Sequence, residues 1–339
     1  MTAAVTHSGT GIRVGQRTLS RLAFGGAPIG NLYAAVDEGE AIAAVQLAWQ
    51  RGIRHFDTAP YYGYGLSETR LGQALHGTPR ASFTLSSKVG RRIEADADRH
   101  DAADGFAVEG YRACFDYSRD GILRAFEASL KRLRTARIEI LLLHDIGALT
   151  HGDAHPAVLR QALEEALPAM AELRAQGAVD AIGIGVNEEA ICLQVMARFP
   201  LDVIMLAGRY TLFEQHASRQ VMAAATQRGT AILAAGPYNA GLLGGADGPG
   251  RFYDYAPASA DVLARARRFY AICAETGADV GAAALQFPLA HPAVASVVCG
   301  LRSTGEVMAA ADRLATPIPA RTWDALRAAG LLDAGVPTP

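Results

Sequence analysis

Four titratable side chains of different types follow short apolar runs in the first half of the chain. Asp57 follows IRHF, Tyr62 lies five residues further on, Lys88 follows FTLSS and His144 follows EILLL. A free tyrosine has a pKa of roughly 10 and exchanges protons poorly at neutral pH, whereas a nearby ammonium stabilises the phenolate and would lower that pKa. With a carboxylate to balance the lysine and an imidazole to orient a substrate oxygen, the set predicts proton transfer to or from a carbonyl or alcohol oxygen.

Such a set cannot accept a hydride, so oxidation or reduction at that carbon requires a redox cofactor. Each residue also has an ordinary structural explanation. A strand-end aspartate often caps a helix, a lone histidine is usually packed in a core, and Tyr62 has the alternative role of a rim aromatic. The functional interpretation therefore depends on the four groups lying together at the ends of neighbouring strands.

Eight short apolar runs, each followed by a helical pattern, span the chain without a break in composition. The runs are apolar nearly throughout, as in strands that are buried on both faces. They predict an α/β fold, a (β/α)8 TIM barrel with its active site at the C-terminal face. Strands are expected at 22–28, 53–59, 83–90, 138–145, 180–186, 201–207, 230–236 and 294–300.

Helices are expected between these strands, and the one over 156–177 is expected to bend at Pro168 because proline lacks an amide hydrogen. The long stretch 91–119 between the third and fourth strand regions is expected to be an unstructured loop. The remaining helices are expected at 37–52, 66–77, 120–134, 188–199, 214–229, 260–277 and 304–314.

An open doubly wound sheet is the alternative to the barrel. That fold usually binds a dinucleotide through GxGxxG after its first strand. Neither GGAPIG after the first apolar run nor GIGVNE after the fifth matches the pattern, so the barrel is favoured. We expect a single domain over 1–339, with a core at about 15–315 and a C-terminal extension over 316–339.

Composition excludes some classes of function. The chain has 339 residues, of which 50% are hydrophobic and 19% charged, and its formal net charge is −2. This balance argues against a protein that grips nucleic acid or an anionic membrane through bulk charge. The apolar stretch 282–301 is interrupted by Pro288 and Pro292 and is expected to form a helix end, a loop and a buried strand rather than a membrane span.

The chain carries no sign of export or of a metal site. Its first 15 residues lack the apolar region of a secretory signal, and its four cysteines form no CxxC pair, so we expect reduced thiols in a cytoplasmic protein. The run 151–155 holds two histidines and an aspartate, but it reads as a glycine-containing loop with no evident fourth ligand, and no metal is expected.

The segment DTAPYYGYGLSE at 57–68, followed by Leu71-Gly72, resembles the signature of the aldo-keto reductases. SKVG at 87–90 and LLH at 142–144 match that family's next two motifs in order and spacing. The resemblance covers about 15–315. It implies a (β/α)8 barrel that binds NAD(P) without a Rossmann motif, in which Tyr62 acts as acid/base. The catalytic residues it implies are Asp57, Tyr62, Lys88 and His144.

The resemblance also implies cofactor contacts at the turn after the first strand, the loop after the seventh and the segment after the eighth. Three positions depart from the family pattern: only Asn187 is available to hold the carboxamide, and Ala207 and Ala235 stand where a glutamine and a stacking tyrosine are common. The implied cofactor residues are Gly25, Gly26, Ala27, Asp57, Asn187, Gly236, Pro237, Tyr238, Gly241, Leu242, Gly300, Arg302 and Ser303.

The residues expected at the adenosine end of the cofactor bear on whether the chain uses NAD or NADP. Relatives that prefer NADPH often hold the 2′-phosphate with a lysine and an arginine, and the matching positions here are Gly300 and Glu306. A carboxylate repels a phosphate and accepts hydrogen bonds from ribose hydroxyls. NAD is therefore the expected cofactor, and NADP remains the alternative because Arg302 is available as a phosphate partner.

The blocks LAFGGAPIGNLY, LAGRYTLFEQ, AAGPYNAGLL and AALQFPLAHPAV are similar to the sugar dehydrogenase branch of the family, which includes L-fucose dehydrogenase, D-threo-aldose 1-dehydrogenase and, as a neighbour, pyridoxal 4-dehydrogenase. The branch implies oxidation of a cyclic hemiacetal to a lactone, either of an aldose or of pyridoxal. A binding or regulatory subunit is the alternative from another class. The sequence does not indicate an oligomeric state. Candidate substrate-lining residues are Tyr61, Phe106, Tyr117, Arg209 and Tyr210.

Overall fold

A computed structural model describes residues 12–100, 104–245, 248–254 and 256–339. Eight parallel strands close into a barrel in chain order, which confirms the predicted (β/α)8 fold and all eight predicted strands. The strands are β1 (Leu22–Gly25), β2 (His55–Asp57), β3 (Thr84–Val89), β4 (Ile140–His144), β5 (Ala181–Val186), β6 (Val203–Ala207), β7 (Ala231–Ala235) and β8 (Val294–Gly300).

Helices surround the barrel in the described part of the chain. The stretch 155–175 forms two α-helical segments joined by a π-helical turn at Ala162–Ala166, just before Pro168, which has no amide hydrogen to donate. The helices are α1 (Glu38–Gln50), α2 (Leu66–Ala74), α3 (Arg119–Arg132), α4 (Ala148–His151), α5 (His155–Gln161), α6 (Leu167–Ala175), α7 (Glu189–Met196), α8 (Arg219–Arg228), α9 (Ala260–Thr276), α10 (Val280–Gln286), α11 (Thr304–Ala315) and α12 (Ala320–Ala328).

Side chains alternate along the strands between two apolar layers. Phe24 and Leu141 belong to the large layer between strands and helices, whereas Ala23 and Leu142 belong to a small cluster with one or two residues from most strands. Most strands are apolar along their length, as expected for buried parallel strands. The exceptions are β2 and β3, whose polar residues are buried: His55, Asp57, Thr84, Ser86, Ser87 and Lys88.

Strand register brings the polar strand ends to the same edge of the barrel. Asp57 pairs with Gly25 on one side and Ser86 on the other, and His144 pairs with Gly185. Lys88, one residue before the end of β3, pairs with Leu142. The C-terminal edge therefore carries the carboxylate, the ammonium and the imidazole on three successive strands.

The opposite edge of the barrel is closed by a short hairpin, Arg13–Val14 with Arg17–Thr18. The fully buried side chain of Glu139 forms ion pairs with Arg80, at 2.7 Å, and with Arg17, at 3.7 Å. These ion pairs hold the hairpin and the strand ends together at a face remote from the predicted chemistry.

Two regions differ from the sequence-based predictions. The stretch 91–119 was expected to be unstructured, but it contains an antiparallel hairpin, Arg91–Ala95 with Tyr111–Phe115, whose strands are joined by Glu94–Arg112 ion pairing at 2.9 Å. Helix α12 lies in the expected C-terminal extension, where no helix was predicted. It buries Trp323 and Leu326 in the main core, so the segment packs as part of the barrel's outer layer.

In the described part of the chain, no helix is long and apolar enough to cross a membrane. The segment 282–301 contains the end of α10, a 3-10 turn and β8, in agreement with the prediction. The expectation of no secretory signal concerns the N-terminus, where residues 1–11 lie outside the described residues.

Candidate active site

A buried ion pair forms the base of the site. Lys88 Nζ lies 2.7 Å from Asp57 Oδ2 and 3.0 Å from the Thr58 carbonyl oxygen, and the two charged side chains are 2% and 3% exposed. A Cβ on Gly185 would lie 3.4 Å from Lys88 Cε, so glycine in β5 leaves room for the lysine stem. Burial opposes the ammonium charge, but Asp57 and Tyr62 outweigh it and hold the pKa of Lys88 above its ordinary value.

Tyr62 lies in the turn between β2 and α2, directly above this pair. The centre of its ring is 4.6 Å from Lys88 Nζ and 5.9 Å from the centre of the His144 ring. Gly63, at φ +63°, packs its backbone so tightly on Gly30 that a Cβ would meet the Gly30 carbonyl oxygen, which fixes the turn and the tyrosine with it. Tyr62 remains partly exposed, unlike the ion pair below it.

The pKa of Tyr62 is raised, whereas the sequence analysis expected Lys88 to lower it. Burial raises it above the ordinary tyrosine value, while Lys88 acts in the predicted downward direction. Burial dominates because the phenolate would lose its water at the barrel mouth, whereas much of the Lys88 charge is already balanced by Asp57. The resting phenol is therefore protonated at neutral pH.

His144 closes the site at the end of β4. Burial lowers its pKa to about 3, so the imidazole is neutral at neutral pH. Its Nε2 lies 3.4 Å from Oδ2 of the next residue, Asp145, and its carbonyl oxygen accepts a hydrogen bond from the Tyr117 hydroxyl at 2.9 Å. The structure thus brings Asp57, Tyr62, Lys88 and His144 together, as the sequence predicted.

A hydrogen-bonded chain below the site was not predicted. Ser86 Oγ donates to Asp57 Oδ1 at 2.7 Å and lies 2.9 Å from His55 Nε2. Because the single Ser86 proton goes to Asp57, His55 must donate from Nε2, and its buried Nδ1 has no hydrogen-bond partner among the residues that the structure describes. The sequence signal for this chain was available in the polar residues His55 and Ser86, both inside apolar runs.

Aromatic rings form one wall of the site. Phe106 lies 5.3 Å from the Tyr61 ring and 6.1 Å from the Tyr62 ring. It is held there by a β-bridge to Leu32 in the loop after β1. Tyr61 also carries the Arg91 guanidinium 3.8 Å above its ring, so Tyr61 and Phe106, two of the predicted substrate-lining residues, lie beside Tyr62.

The other three candidate lining residues have different surroundings. Tyr117 and Tyr210 are each 2% exposed; Tyr117 supports the backbone after β4, and Tyr210 packs on Phe287 with its hydroxyl unpartnered. Arg209 is tied to the Asn187 carbonyl oxygen at 2.7 Å and to Asp254 at 2.9 Å. These contacts give each of the three side chains a structural role, in packing or in an ion pair.

The strand ends expected to approach the cofactor are closely packed glycines. Gly25 and Gly300 pair across β1 and β8, and a Cβ on Gly25 would lie 2.9 Å from the Cys299 carbonyl oxygen. Gly26 donates its amide to the backbone carbonyl oxygen of Asp57 at 2.8 Å and has no room for a Cβ, while Ala27 is partly exposed beside it. The backbone here leaves only small side chains at the mouth.

The loop after β7 presents backbone rather than side chains. Leu242 is buried in the core and Tyr238 packs 5.5 Å from the Arg313 guanidinium, whereas Gly236 and Gly241 are exposed. The loop is held by Asn239, which donates to the Gly208 carbonyl oxygen at 3.0 Å. Four residues of its first part, 236–241, have left-handed backbone, and such successive turns make concavities of amide groups that suit phosphate. They are Gly236, Asn239, Ala240 and Gly241.

Carboxylates occupy the N-terminus of α11, at the expected adenosine end. Ser303 caps the helix through the Glu306 amide at 3.2 Å, and Glu306 Oε2 accepts the Arg302 amide at 2.8 Å. The Arg302 guanidinium lies 3.2 Å from Glu306 Oε1. Glu40 of α1, which the sequence did not indicate, accepts both the amide and the hydroxyl of Thr304 at 2.7 and 2.9 Å.

The histidines of the run 151–155 contact other groups. His151 Nε2 lies 2.8 Å from the Asp145 carbonyl oxygen, and His155 Nδ1 lies 3.2 Å from the Ile146 carbonyl oxygen. Among the described residues no cluster of three or more histidine, cysteine or acidic side chains is arranged to hold a metal ion.

Comparison with known families decides the identity of this arrangement. Residues 21–330 match the profile described as the aldo/keto reductase family. The chain belongs to the aldo/keto reductase family. It is therefore an oxidoreductase of a family that uses a nicotinamide dinucleotide. The left-handed backbone of the loop after β7 would suit its phosphates, and the carboxylates at the start of α11 could accept from its ribose hydroxyls.

Curated relatives and solved structures agree with this membership. The chain is 38% identical to pyridoxal 4-dehydrogenase from Microbacterium luteolum, over 93% of this chain and 95% of that protein. It is also 38% identical to D-threo-aldose 1-dehydrogenase from a Pseudomonas species, over 94% and 95%. The holo form of an aldo-keto reductase from Bacillus halodurans superposes with a TM-score of 0.72 at 26% identity, covering 95% of each chain.

Proposed function

We propose that this enzyme oxidises the anomeric carbon of an aldose, in its cyclic hemiacetal form, to the lactone. The bound nicotinamide ring supplies the acceptor for the hydride that leaves C1. Tyr62 takes the proton of the anomeric hydroxyl, so the products are the lactone, the reduced dinucleotide and one proton released to solvent. The observation that carries the proposal is the Lys88 ammonium 4.6 Å from the Tyr62 ring centre, with Asp57 against its other side.

Each remaining member of the tetrad has a distinct part in this proposal. Asp57 and Ser86 hold Lys88 in place, and the ammonium stabilises the phenolate of Tyr62 when it forms. The neutral imidazole of His144 donates from Nε2 to the anomeric oxygen and so orients the hydroxyl toward Tyr62. Phe106 covers Tyr62 and excludes water from one side of the reacting carbon.

Pyridoxal is the second candidate substrate, because it also forms a cyclic hemiacetal. The aromatic wall of Tyr61 and Phe106 suits a flat pyridine ring, and pyridoxal 4-dehydrogenase is as similar to this chain as the aldose dehydrogenase. The chemistry at the oxidised carbon would be the same for both substrates, so only substrate contacts separate them.

We further propose that NAD is preferred over NADP. Glu40 and Glu306 already accept from the amides at the start of α11, and Glu306 neutralises Arg302. A 2′-phosphate would meet two carboxylates there, whereas ribose hydroxyls would donate to them.

We also infer that the chain works as one domain in a reducing compartment such as the cytoplasm. Helix α12 shares the barrel's apolar core, and all four cysteines are free thiols. Activity that is unchanged by dithiothreitol is the expected result; loss of activity on adding the reductant would contradict the inference.

The test of the proposed function is a screen for NAD reduction with L-fucose, D-arabinose, L-galactose, L-xylose and pyridoxal. Turnover of at least one aldose with higher kcat/KM than pyridoxal is expected. Turnover of pyridoxal alone would reverse the order of the two candidates, and turnover of none would overturn the proposal.

A further inference from the structure

A fifth charged group lies against the tetrad. Asp145 follows His144 and has a left-handed backbone, φ +49°, which is uncommon for residues other than glycine but tolerated by aspartate and asparagine. Its amide donates to the Gly185 carbonyl oxygen at 3.0 Å, and its carbonyl oxygen lies 2.9 Å from the Tyr117 hydroxyl, which it shares with the His144 carbonyl oxygen. These two bonds hold the strained turn, so the direction of the carboxylate is fixed by the fold.

The turn places the carboxylate between the imidazole and a guanidinium. Asp145 Oδ2 lies 3.4 Å from His144 Nε2 and 2.5 Å from Arg91 Nη2. Arg91 is itself fixed, because it stacks 3.8 Å over Tyr61 and 4.5 Å over Phe115. Tyr61 in turn contacts His144, so the carboxylate belongs to the same wall that borders the reacting carbon.

The carboxylate is ionised and therefore accepts hydrogen bonds only. Burial opposes its charge, but His144 and Arg91 outweigh burial and lower the pKa of Asp145. The negative charge beside Nε2 favours the tautomer of neutral His144 that carries its hydrogen on that nitrogen, and because the 3.4 Å contact is not a hydrogen bond, this hydrogen stays available to the substrate. Oδ1 has no hydrogen-bond donor from protein within the described ranges, and the side chain is 20% exposed.

The spacing matches two neighbouring hydroxyl groups of a sugar. Adjacent sugar oxygens lie about 3 Å apart, close to the 3.4 Å that separates Nε2 from Oδ2 here. When the anomeric oxygen accepts from His144, the hydroxyl on the next carbon can donate to Asp145. We propose that Asp145 is a specificity-determining residue that selects substrates with a hydroxyl group on the carbon adjacent to the oxidised one. This inference rests on the proposed function, and it gives that function its substrate class.

The charge also selects against other substrates. A carbonyl or carboxylate oxygen at the adjacent carbon would face an acceptor with no proton to give, and a methylene there would offer the carboxylate no donor. Arg91 cannot supply the missing contact, since its guanidinium is held by two aromatic rings and already bound to Oδ2.

The experiment compares L-fucose with 2-deoxy-L-fucose in wild-type enzyme and in Asp145→Asn, with NAD as acceptor. Asparagine tolerates the left-handed backbone, so the substitution removes the charge and keeps the fold. Wild-type enzyme is expected to favour L-fucose by about 10- to 100-fold in kcat/KM, the range for a hydrogen bond to a charged group. In Asp145→Asn the preference for L-fucose over 2-deoxy-L-fucose in kcat/KM is expected to fall to about threefold or less.

Asp116→Asn is the matched control. It makes the same charge change on a carboxylate that pairs with Arg92 of the outer hairpin and Arg124 of α3, and it is expected to keep the wild-type ratio. Asp145→Glu keeps the charge but moves it by one methylene, so its ratio is expected to fall as well. Melting temperature and NADH binding are measured for every variant to show that each is folded.

Three outcomes would overturn the inference. The first is a ratio of kcat/KM for L-fucose to that for 2-deoxy-L-fucose that stays at the wild-type value in Asp145→Asn or in Asp145→Glu. The second is a fall in kcat/KM of the same size with both sugars, which would show that Asp145 acts on His144 rather than on the adjacent hydroxyl. The third is a wild-type enzyme that oxidises no aldose, which would overturn the proposed function together with the inference. Assays of the wild-type enzyme are enough to recognise this outcome, whatever the variants do.

Discussion

The Lys88 ammonium of this aldo/keto reductase lies between the Asp57 carboxylate, 2.7 Å away, and the Tyr62 ring, whose centre is 4.6 Å away. The lysine therefore balances one charge at rest and can stabilise a second on the phenolate during turnover. Burial nevertheless holds the pKa of Tyr62 above its ordinary value. The balance of these two effects makes a prediction about pH.

Oxidation is expected to speed up with pH across the whole assay range. The proton acceptor must be the phenolate, which is scarce below a pKa that exceeds the usual ~10 of tyrosine, so kcat/KM for aldose oxidation should still be rising at about pH 9.5. The measurement is a pH–rate profile with NAD. A plateau below about pH 8 would contradict the raised pKa.

Cofactor choice is expected to depend on the two carboxylates at the start of α11. Glu306→Gln frees Arg302 from its ion pair, so the ratio of kcat/KM with NADP to that with NAD should rise roughly three- to tenfold. Asp312 on the same helix forms an ion pair with Arg51, at 3.9 Å, and Asp312→Asn should leave the ratio unchanged. A wild-type enzyme that favours NADP would refute the proposed preference.

Acid is expected to destabilise the fold through two buried histidines. The pKa values of His55 and His144 are both lowered to about 3 in the folded protein by burial, while unfolded histidine titrates near 6.5. Between these values the unfolded chain binds more protons, so the free energy of unfolding should fall as the pH drops below ~6.5, by up to about 2 kcal/mol per histidine at pH 5.

Urea unfolding at pH 7.5 and pH 5 measures this effect. His55→Gln retains a donor toward Ser86 but cannot titrate, so its loss of stability over the same interval should be smaller by one histidine's share. An identical pH dependence in the variant would show that His55 is not the group that takes up the proton.

Helix α12 is expected to be required for stability. Trp323 is 2% exposed in the main core, so Trp323→Ala should lower the free energy of unfolding by about 3–5 kcal/mol. Trp323→Phe removes the unpartnered indole Nε1 and keeps most of the apolar surface, so it should cost far less. Chemical denaturation compares the two, and equal small losses would show that the helix is dispensable.

The barrel and the tetrad could be predicted because their signals are local. Asp57, Lys88 and His144 each end or nearly end a continuous apolar run, and parallel strands of similar length bring such ends to one edge. The hairpin 91–115 was missed because its strands are polar and half-exposed, so they lack the apolar alternation that identifies strands in sequence.

Other features depend on contacts between distant segments. Nothing local in the sequence joins Glu40 to Thr304, which are 264 positions apart, or Asp145 to Arg91. The direction of the Tyr62 pKa shift also depends on how deeply the phenol is buried at the mouth of the barrel. The sequence-based prediction considered only Lys88, which lowers the pKa, and was therefore wrong in direction.

The most direct test of the proposed mechanism is Tyr62→Phe. The substitution removes the hydroxyl that carries the proton and leaves the ring that packs on Lys88 and Phe106. We predict a fall in kcat of about 10²- to 10⁴-fold, the usual contribution of a positioned acid or base, with NADH binding within about twofold of wild type by fluorescence titration. A kcat near the wild-type value in a variant that binds NADH normally would contradict the account.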